Sequence, residues 1–184
     1  MGFDLPFSVF KGFWSRFGRF LLLALAATLF ASSGTPAAGR APRDRAWSGT
    51  VTWVSDGDTL WVAPEGGGRP RKIRLDGIDA PEICQAWGSA ARDALRQRAL
   101  HRTVRVATRR LDDYRRELAK VDLGGEDLGG WMVERGHAWS YRYRHNPGPY
   151  VAEERSARLA KHGLFADSAA LEPRAFRQSH GPCH

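Results

Sequence analysis

The sequence predicts an α+β fold, mainly β: a small five-stranded antiparallel barrel of the OB kind with three helices packed on it. Three observations lead there. From Trp47 onward, short runs rich in β-branched and aromatic residues alternate with turn signals. The order of runs reads three strands, one helix, two strands and two helices, a spacing that suits a small barrel better than a parallel sheet. The chain has 184 residues with 42% hydrophobic and 11% aromatic content, enough for one domain with a real core.

In chain order, "WSGTVTWVS" (47–55) and "DTLWVA" (58–63) read as strands joined by Asp56-Gly57, a two-residue hairpin signal. "EGGGRP" turns the chain into a third run, "RKIRLDGI" (71–78). After "DAPE" the pattern becomes helical over 88–101, with Ala91, Leu95 and Leu100 on one face. "TVRVATR" (103–109) and "ELAKVDL" (117–123) are the fourth and fifth strands. The last two helices are "EDLGGWMVERG" (126–136) and "PYVAEERSARLAKHG" (149–163), the latter with Gly163 as its C-cap. Trp53, Trp61, Trp131 and Trp139 read as core, and His137 as packing after a helix.

The N-terminus sets the expected compartment. Lys11, Arg16 and Arg19 precede the apolar run "FLLLALAATLFA" (20–31), and small residues follow, the pattern of a cleaved signal peptide over residues 1–33. An uncleaved anchor over residues 13–31 is the alternative. Residues 34–46 read as a flexible linker, 47–170 as the domain and 171–184 as a C-terminal tail. The expected location is therefore secreted or periplasmic, with membrane contact only if the N-terminal segment stays on. In such an oxidising compartment Cys84 and Cys183 form an even pair, and a disulfide between them is expected, clipping the tail to the domain. A catalytic thiol at Cys84 is the competing reading.

The net charge is +8. Of 28 basic residues four are Lys, leaving 24 Arg. Without residues 1–33 the chain keeps 25 Lys and Arg against 19 Asp and Glu, a net +6. Such a balance attracts polyanions, nucleic acid first. Yet "IRLDGIDAPEIC" (73–84) crowds Asp76, Asp79 and Glu82 together. Asp58 follows the first hairpin turn and Asp79 ends the third strand, so both reach one rim if the strands share a sheet. Two carboxylates with a backbone carbonyl suit a hard divalent cation, while the lack of a His/Cys cluster argues against zinc. Turn capping is the plainer role for either Asp alone. His180 and His184 beside Cys183 give only a weak metal signal.

Glu82, held off by Pro81, is placed to take a proton from a water near that cation. Arg74 and Arg116 are placed to grip phosphate oxygens in a two-point fashion. Asp76 receives no role and reads as a solvated strand residue.

"SDGDTLWV", "IRLDGIDAPE" and "DDYRRELAKV", in this order, resemble the thermonuclease family, the staphylococcal-nuclease-like domains. The resemblance continues through "GHAWSYRY" and "EERSARLAKHGLF" and covers roughly Trp47 to Phe165. It implies a five-stranded OB barrel with three helices. It also implies a calcium-dependent phosphodiesterase that cleaves DNA and RNA to leave 3′-phosphate ends. Carried over by residue, Asp58 and Asp79 become calcium ligands with the carbonyl of Ala80, and Asp56 lies just outside them. Glu82 becomes the catalytic glutamate, and Arg74 and Arg116 the arginines that stabilise the five-coordinate phosphorus. Tyr114 contacts a terminal phosphate, and Tyr141 or Tyr143 supplies a stacking aromatic. One departure stands out: where the family pattern is Asp-x-Tyr-Gly-Arg, this chain has Arg115 in the glycine's place. The implied partner is nucleic acid alone, with a monomeric enzyme and no stable protein partner. The rival reading is a catalytically weak or inactive nucleic-acid-binding module of the cell envelope.

Overall fold

The structure, a computed structural model, describes residues 45–181 and Cys183. The expected signal segment, all but the last two residues of the linker, and His184 lie outside the described residues. Five strands build the barrel: β1 (Arg45–Val54), β2 (Thr59–Pro64), β3 (Arg71–Leu75), β5 (Thr103–Leu111) and β6 (Glu117–Leu123). Two-residue strands β4 (Ile78–Asp79), β7 (Glu126–Asp127) and β8 (Trp139–Ser140) extend it. The helices are α1 (Gly88–Ala99), α2 (Leu128–Glu134), α3 (Val151–Leu159) and α4 (Pro173–His180). Neighbours in the main sheet run β3-β2-β1-β5-β6-β7, all antiparallel, and a parallel pairing of β3 with β6 closes the barrel.

Alternation explains the interior. Leu60 and Val62 on β2, Ile73 and Leu75 on β3, Val104 and Val106 on β5, and Ala119 and Val121 on β6 are all buried. Helix α1 closes one end with Ala91, Leu95 and Ala99, and α2 adds Leu128, Met132 and Val133. Leu100, expected on the apolar face of α1, is the C-cap instead and only partly buried.

Several expectations are corrected. The strand β1 starts at Arg45, so the linker ends two residues early. The first hairpin is not a two-residue turn: Ser55–Asp58 form a four-residue loop, tied by Ser55 N–H to the Thr59 carbonyl at 2.9 Å. Its glycine is there for closeness rather than for φ, since a Cβ on Gly57 would sit 2.7 Å from the Cβ atoms of Ala80 and Ala91. A register shift between Val51 and Trp53 breaks the alternation of β1, so Val51 and Val54 both point inward. Trp53, expected in the core, is thereby turned outward and is 61% exposed. Trp61 and Trp131 are half-buried, while Trp139 is buried as expected. Helix α3 stops at Leu159, and the left-handed residue past its cap is Lys161 (φ 53°); Gly163 opens a 3-10 turn.

The largest correction is α4. Residues 171–184 are not a bare tail: Pro173 opens an eight-residue helix whose C-cap is Gly181. The Cys84–Cys183 disulfide forms as expected and spans 99 residues. In the chain-entropy picture a loop of that size is worth about 4–5 kcal/mol. Helix α3 is anchored differently, by a buried carboxylate: Glu154 accepts from Ser140 N–H at 3.0 Å, Arg142 at 2.5 Å and Arg158 at 2.8 Å.

Candidate active site

The expected site residues meet at one end of the barrel, and the local sequence explains how. The Asp56 Oδ1 atom accepts the backbone N–H of Asp58 at 3.0 Å, a short side-chain-closed turn. That turn fixes Asp58, which accepts from the Thr59 hydroxyl at 2.8 Å and from Ala80 N–H at 3.4 Å. Asp79 sits at the end of β4, paired with Trp139 of β8. Asp58, Asp79 and the backbone of Ala80 therefore lie side by side, as the sequence implied.

Arg74 points outward from β3, between the buried Ile73 and Leu75. Its guanidinium bridges the two acids, with Nη1 2.6 Å from Asp58 Oδ2 and Nη2 3.1 Å from Asp79 Oδ1. A second arginine, absent from the expected set, reaches in from α4. Arg177 lies 2.6 Å from Glu82 Oε1 and 3.3 Å from Asp79 Oδ2. Its only sequence clue was Cys183, six residues on, whose partner Cys84 lies two residues past Glu82.

Arg116 is set by the β5–β6 hairpin. Asp112 organises that turn: its Oδ1 takes the backbone N–H groups of Tyr114 (2.9 Å) and Arg116 (2.8 Å), and its Oδ2 takes the Arg116 Nε–H at 2.7 Å. Burial opposes its charge, but these bonds to Arg116 and Tyr114 hold the Asp112 carboxyl below its usual range. Arg115 adopts φ 60°, a left-handed conformation that glycine takes more readily than any L-residue. The substitution is accommodated by strain, and Arg116 keeps its anchor. Pairing of Arg74 with Leu118 across the barrel seam brings Arg116 to the same side as Arg74.

One cavity of about 640 Å³ is lined by Asp58, Arg74, Glu82, Arg116 and Arg177, with Tyr114 and Tyr141 also on its wall. Tyr114 is 81% exposed, with the Arg116 guanidinium 5.3 Å from its ring centre. Of the two stacking candidates Tyr141 lines the cavity, whereas Tyr143 is paired with Asn146 and lies under Arg144. Asp76 is not a free solvated residue: it pairs with Arg109 at 2.7 Å. His137 packs against Trp131, as expected.

The electrostatics show an excess of acid. Burial and the neighbouring Asp58 push Asp56 up to about 7. Burial and Asp58 likewise raise Asp79, against the pull of Arg177 and Arg74. Asp58 goes the other way: burial disfavours its charge, yet Arg74 beside it holds the carboxyl below its ordinary range. Four carboxyl groups, Asp56, Asp58, Asp79 and Glu82, thus face two guanidinium groups in direct contact. A divalent cation would relieve that imbalance, so the donor set fits a hard ion. Among the described residues no cluster of three or more His, Cys, Asp or Glu side chains is arranged for a metal. Such an ion would take two carboxylates and complete its shell with a carbonyl and water.

The chain's similarity to known proteins agrees with this chemistry. The family model described as "Staphylococcal nuclease homologue" matches residues 72–167. An "Uncharacterized endonuclease" of Haemophilus influenzae is 36% identical over 129 residues, covering 70% of this chain and 71% of the relative. "Micrococcal nuclease" of Shigella flexneri is 34% identical over 148 residues, covering 73% and 84%. "Protein ParB" of Escherichia coli is 35% identical over 147 residues, covering 72% and 82%.

Proposed function

The chain belongs to the staphylococcal nuclease homologue family and is a hydrolase acting on nucleic acids, and from that premise we propose that it is an exported, calcium-dependent nuclease leaving 3′-phosphate ends. The observation that carries the reading is the convergence of Asp58, Glu82, Arg74 and Arg116 on one cavity, with Asp79 tied to it through Arg74. Asp58, Asp79 and the Ala80 carbonyl are the groups that would hold the ion, with Asp56 behind them. Calcium bound there would neutralise charge building on the phosphate and bring a water close to it.

The remaining roles belong to the protein. Glu82 accepts the proton of the attacking water. Arg74 exchanges its carboxylate partners for phosphate oxygens, and Arg116, held by Asp112, grips the same group from the other side. Tyr114 and Tyr141 offer ring faces and hydroxyls to the neighbouring nucleotide. The overall positive charge supports capture of the polyanion, with binding that weakens steeply as salt rises.

Export is supported by the disulfide, since such bonds persist in oxidising compartments. Among the described residues no helix is long and apolar enough to cross a membrane. The binding-module alternative draws its support from Arg115, and the intact Asp112–Arg116 pairing supports the catalytic reading over it.

Plasmid digestion by purified protein, with calcium or with EDTA, tests the reading. Calcium binding is measured in parallel by calorimetry. Cleavage that EDTA leaves untouched, or no calcium uptake, contradicts it. Glu82→Gln is expected to lower kcat by about 10²-fold or more with calcium binding retained. A near-wild-type rate would remove Glu82 from the chemistry.

A further inference from the structure

We propose that helix α4 is part of the active site: Arg177 is a positioning residue that holds Glu82, and the C-terminal chain fixes the segment on which Glu82 sits. This rests on the nuclease reading above.

Glu82 is the one proposed catalytic group carried by neither strand nor hairpin. It lies in the irregular stretch between β4 and α1. A proton acceptor must sit within about 3 Å of its water, and a misplacement near 1 Å can cost about 10²-fold in rate. Something has to hold this stretch still.

The bonds that do so come from the C-terminal chain. Arg177 Nη1 is 2.6 Å from Glu82 Oε1, while Nη2 is 3.3 Å from Asp79 Oδ2, so one planar guanidinium sets the two carboxylates relative to each other. It takes one oxygen of Glu82, and among the described residues Oε2 keeps no hydrogen-bond partner. Two residues on, Cys84 is bonded to Cys183. Gln85 completes the frame. Its Oε1 accepts Glu82 N–H at 3.1 Å and its Nε2–H₂ donates to the Leu171 carbonyl at 2.6 Å. Glu172, at the start of α4, pairs with Arg142 at 2.7 Å, and Arg142 also holds Glu154 of α3.

The apolar face of α4 is small: Pro173 is fully buried, and Phe176 is half-buried on a pocket shared with Trp87 and Trp139. The helix is attached at its two ends and through Arg177, and all of these ties except Glu172–Arg142 lead to the Glu82 segment or to Asp79. An arginine acting as a plug would meet the same acids, so the two roles are separated by the sign of its removal.

The test uses the full oxidised chain and its Arg177→Ala, Arg177→Lys and Cys84→Ser/Cys183→Ser variants. Steady-state cleavage of single-stranded DNA at saturating calcium is combined with calcium calorimetry and amide hydrogen exchange over residues 82–85. Arg177→Ala is expected to lower kcat on the order of 10–100-fold. KM is expected to stay within about twofold, and calcium affinity not to fall, because the cation competing for Asp79 is gone. Arg177→Lys restores much of kcat, because an ammonium still reaches Glu82 but cannot bridge both acids. The double serine variant speeds exchange over residues 82–85 and lowers kcat to a smaller extent.

An unchanged kcat in Arg177→Ala overturns the proposal. So does a raised one, which would make Arg177 a plug, or a loss traced wholly to weaker calcium binding. Unchanged exchange in the serine variant overturns the tethering half. If the wild-type chain does not cleave, the calcium-nuclease reading fails, and the exchange data still decide whether α4 holds the segment.

Discussion

Replacing Arg115 by glycine should stabilise this protein while leaving its chemistry alone. Arg115 holds φ 60° at the end of the β5–β6 turn, where its N–H donates to the Asp112 carbonyl at 2.9 Å. Its side chain is exposed. An L-residue in the left-handed region carries about 1–2 kcal/mol of strain, from Cβ crowding the following carbonyl. Glycine removes that strain but costs about 0.4–1 kcal/mol through the greater freedom of its unfolded chain. The balance is a gain of about 0.5–1 kcal/mol, which for a domain of this size raises Tm by roughly 2–4 °C. Thermal unfolding of the oxidised protein, followed by circular dichroism, reads it directly. Arg115→Ala is the control, since it discards the same charge but keeps the Cβ, and its Tm should not rise. An equal gain in both variants would assign the effect to charge and refute the backbone argument. The rate should stay close to that of the parent, because Asp112 rather than residue 115 holds Arg116.

Two other outcomes follow from buried carboxylates. Asp56 keeps its proton to about pH 7 in the fold but releases it near 3.8 when unfolded. The folded form thus binds the extra proton between these values, and stability without calcium should fall as pH rises through them. The loss is about 2–4 kcal/mol, and denaturant titrations of calcium-free Asp56→Asn should show a flatter profile. Glu154→Ala strands Arg142, Arg158 and the Ser140 N–H around an empty site. We expect a loss of about 3–5 kcal/mol in chemical denaturation; a loss under 1 kcal/mol would show that solvent replaces the carboxylate freely.

The barrel strands could be read from sequence because their alternation is regular and their turns are marked. The run 117–123 matches β6 residue for residue. Trp53 failed because one extra residue in β1 reverses which face follows, and nothing in the local composition announces that shift. The site acids were legible for another reason: Asp58 and Asp79 stand beside strand ends, where position follows from the turn, and Glu82 follows Asp79 by three residues in the stretch that resembles the family. Arg177 was not legible. Its helix has eight residues, too few for a periodic signal, with an apolar face of only Pro173 and Phe176, and a disulfide and ion pairs do much of the holding. The cysteine pair pointed to the right neighbourhood without naming the side chain that enters it.

The parallel seam between β3 and β6 has a consequence for how activity arises during folding. The two hairpins, β1–β2 and β5–β6, close over short loops and can form within microseconds. The seam joins Ile73 to Glu117 and Arg74 to Leu118, partners more than forty residues apart, and such long closures come late. Until the seam forms, Arg74 and Arg116 ride on separate pieces and no phosphate can be gripped between them. Intermediates with both hairpins in place are therefore silent. Recovery of cleavage during refolding should trail the return of β-sheet signal, so the nuclease reports on its own last step of assembly.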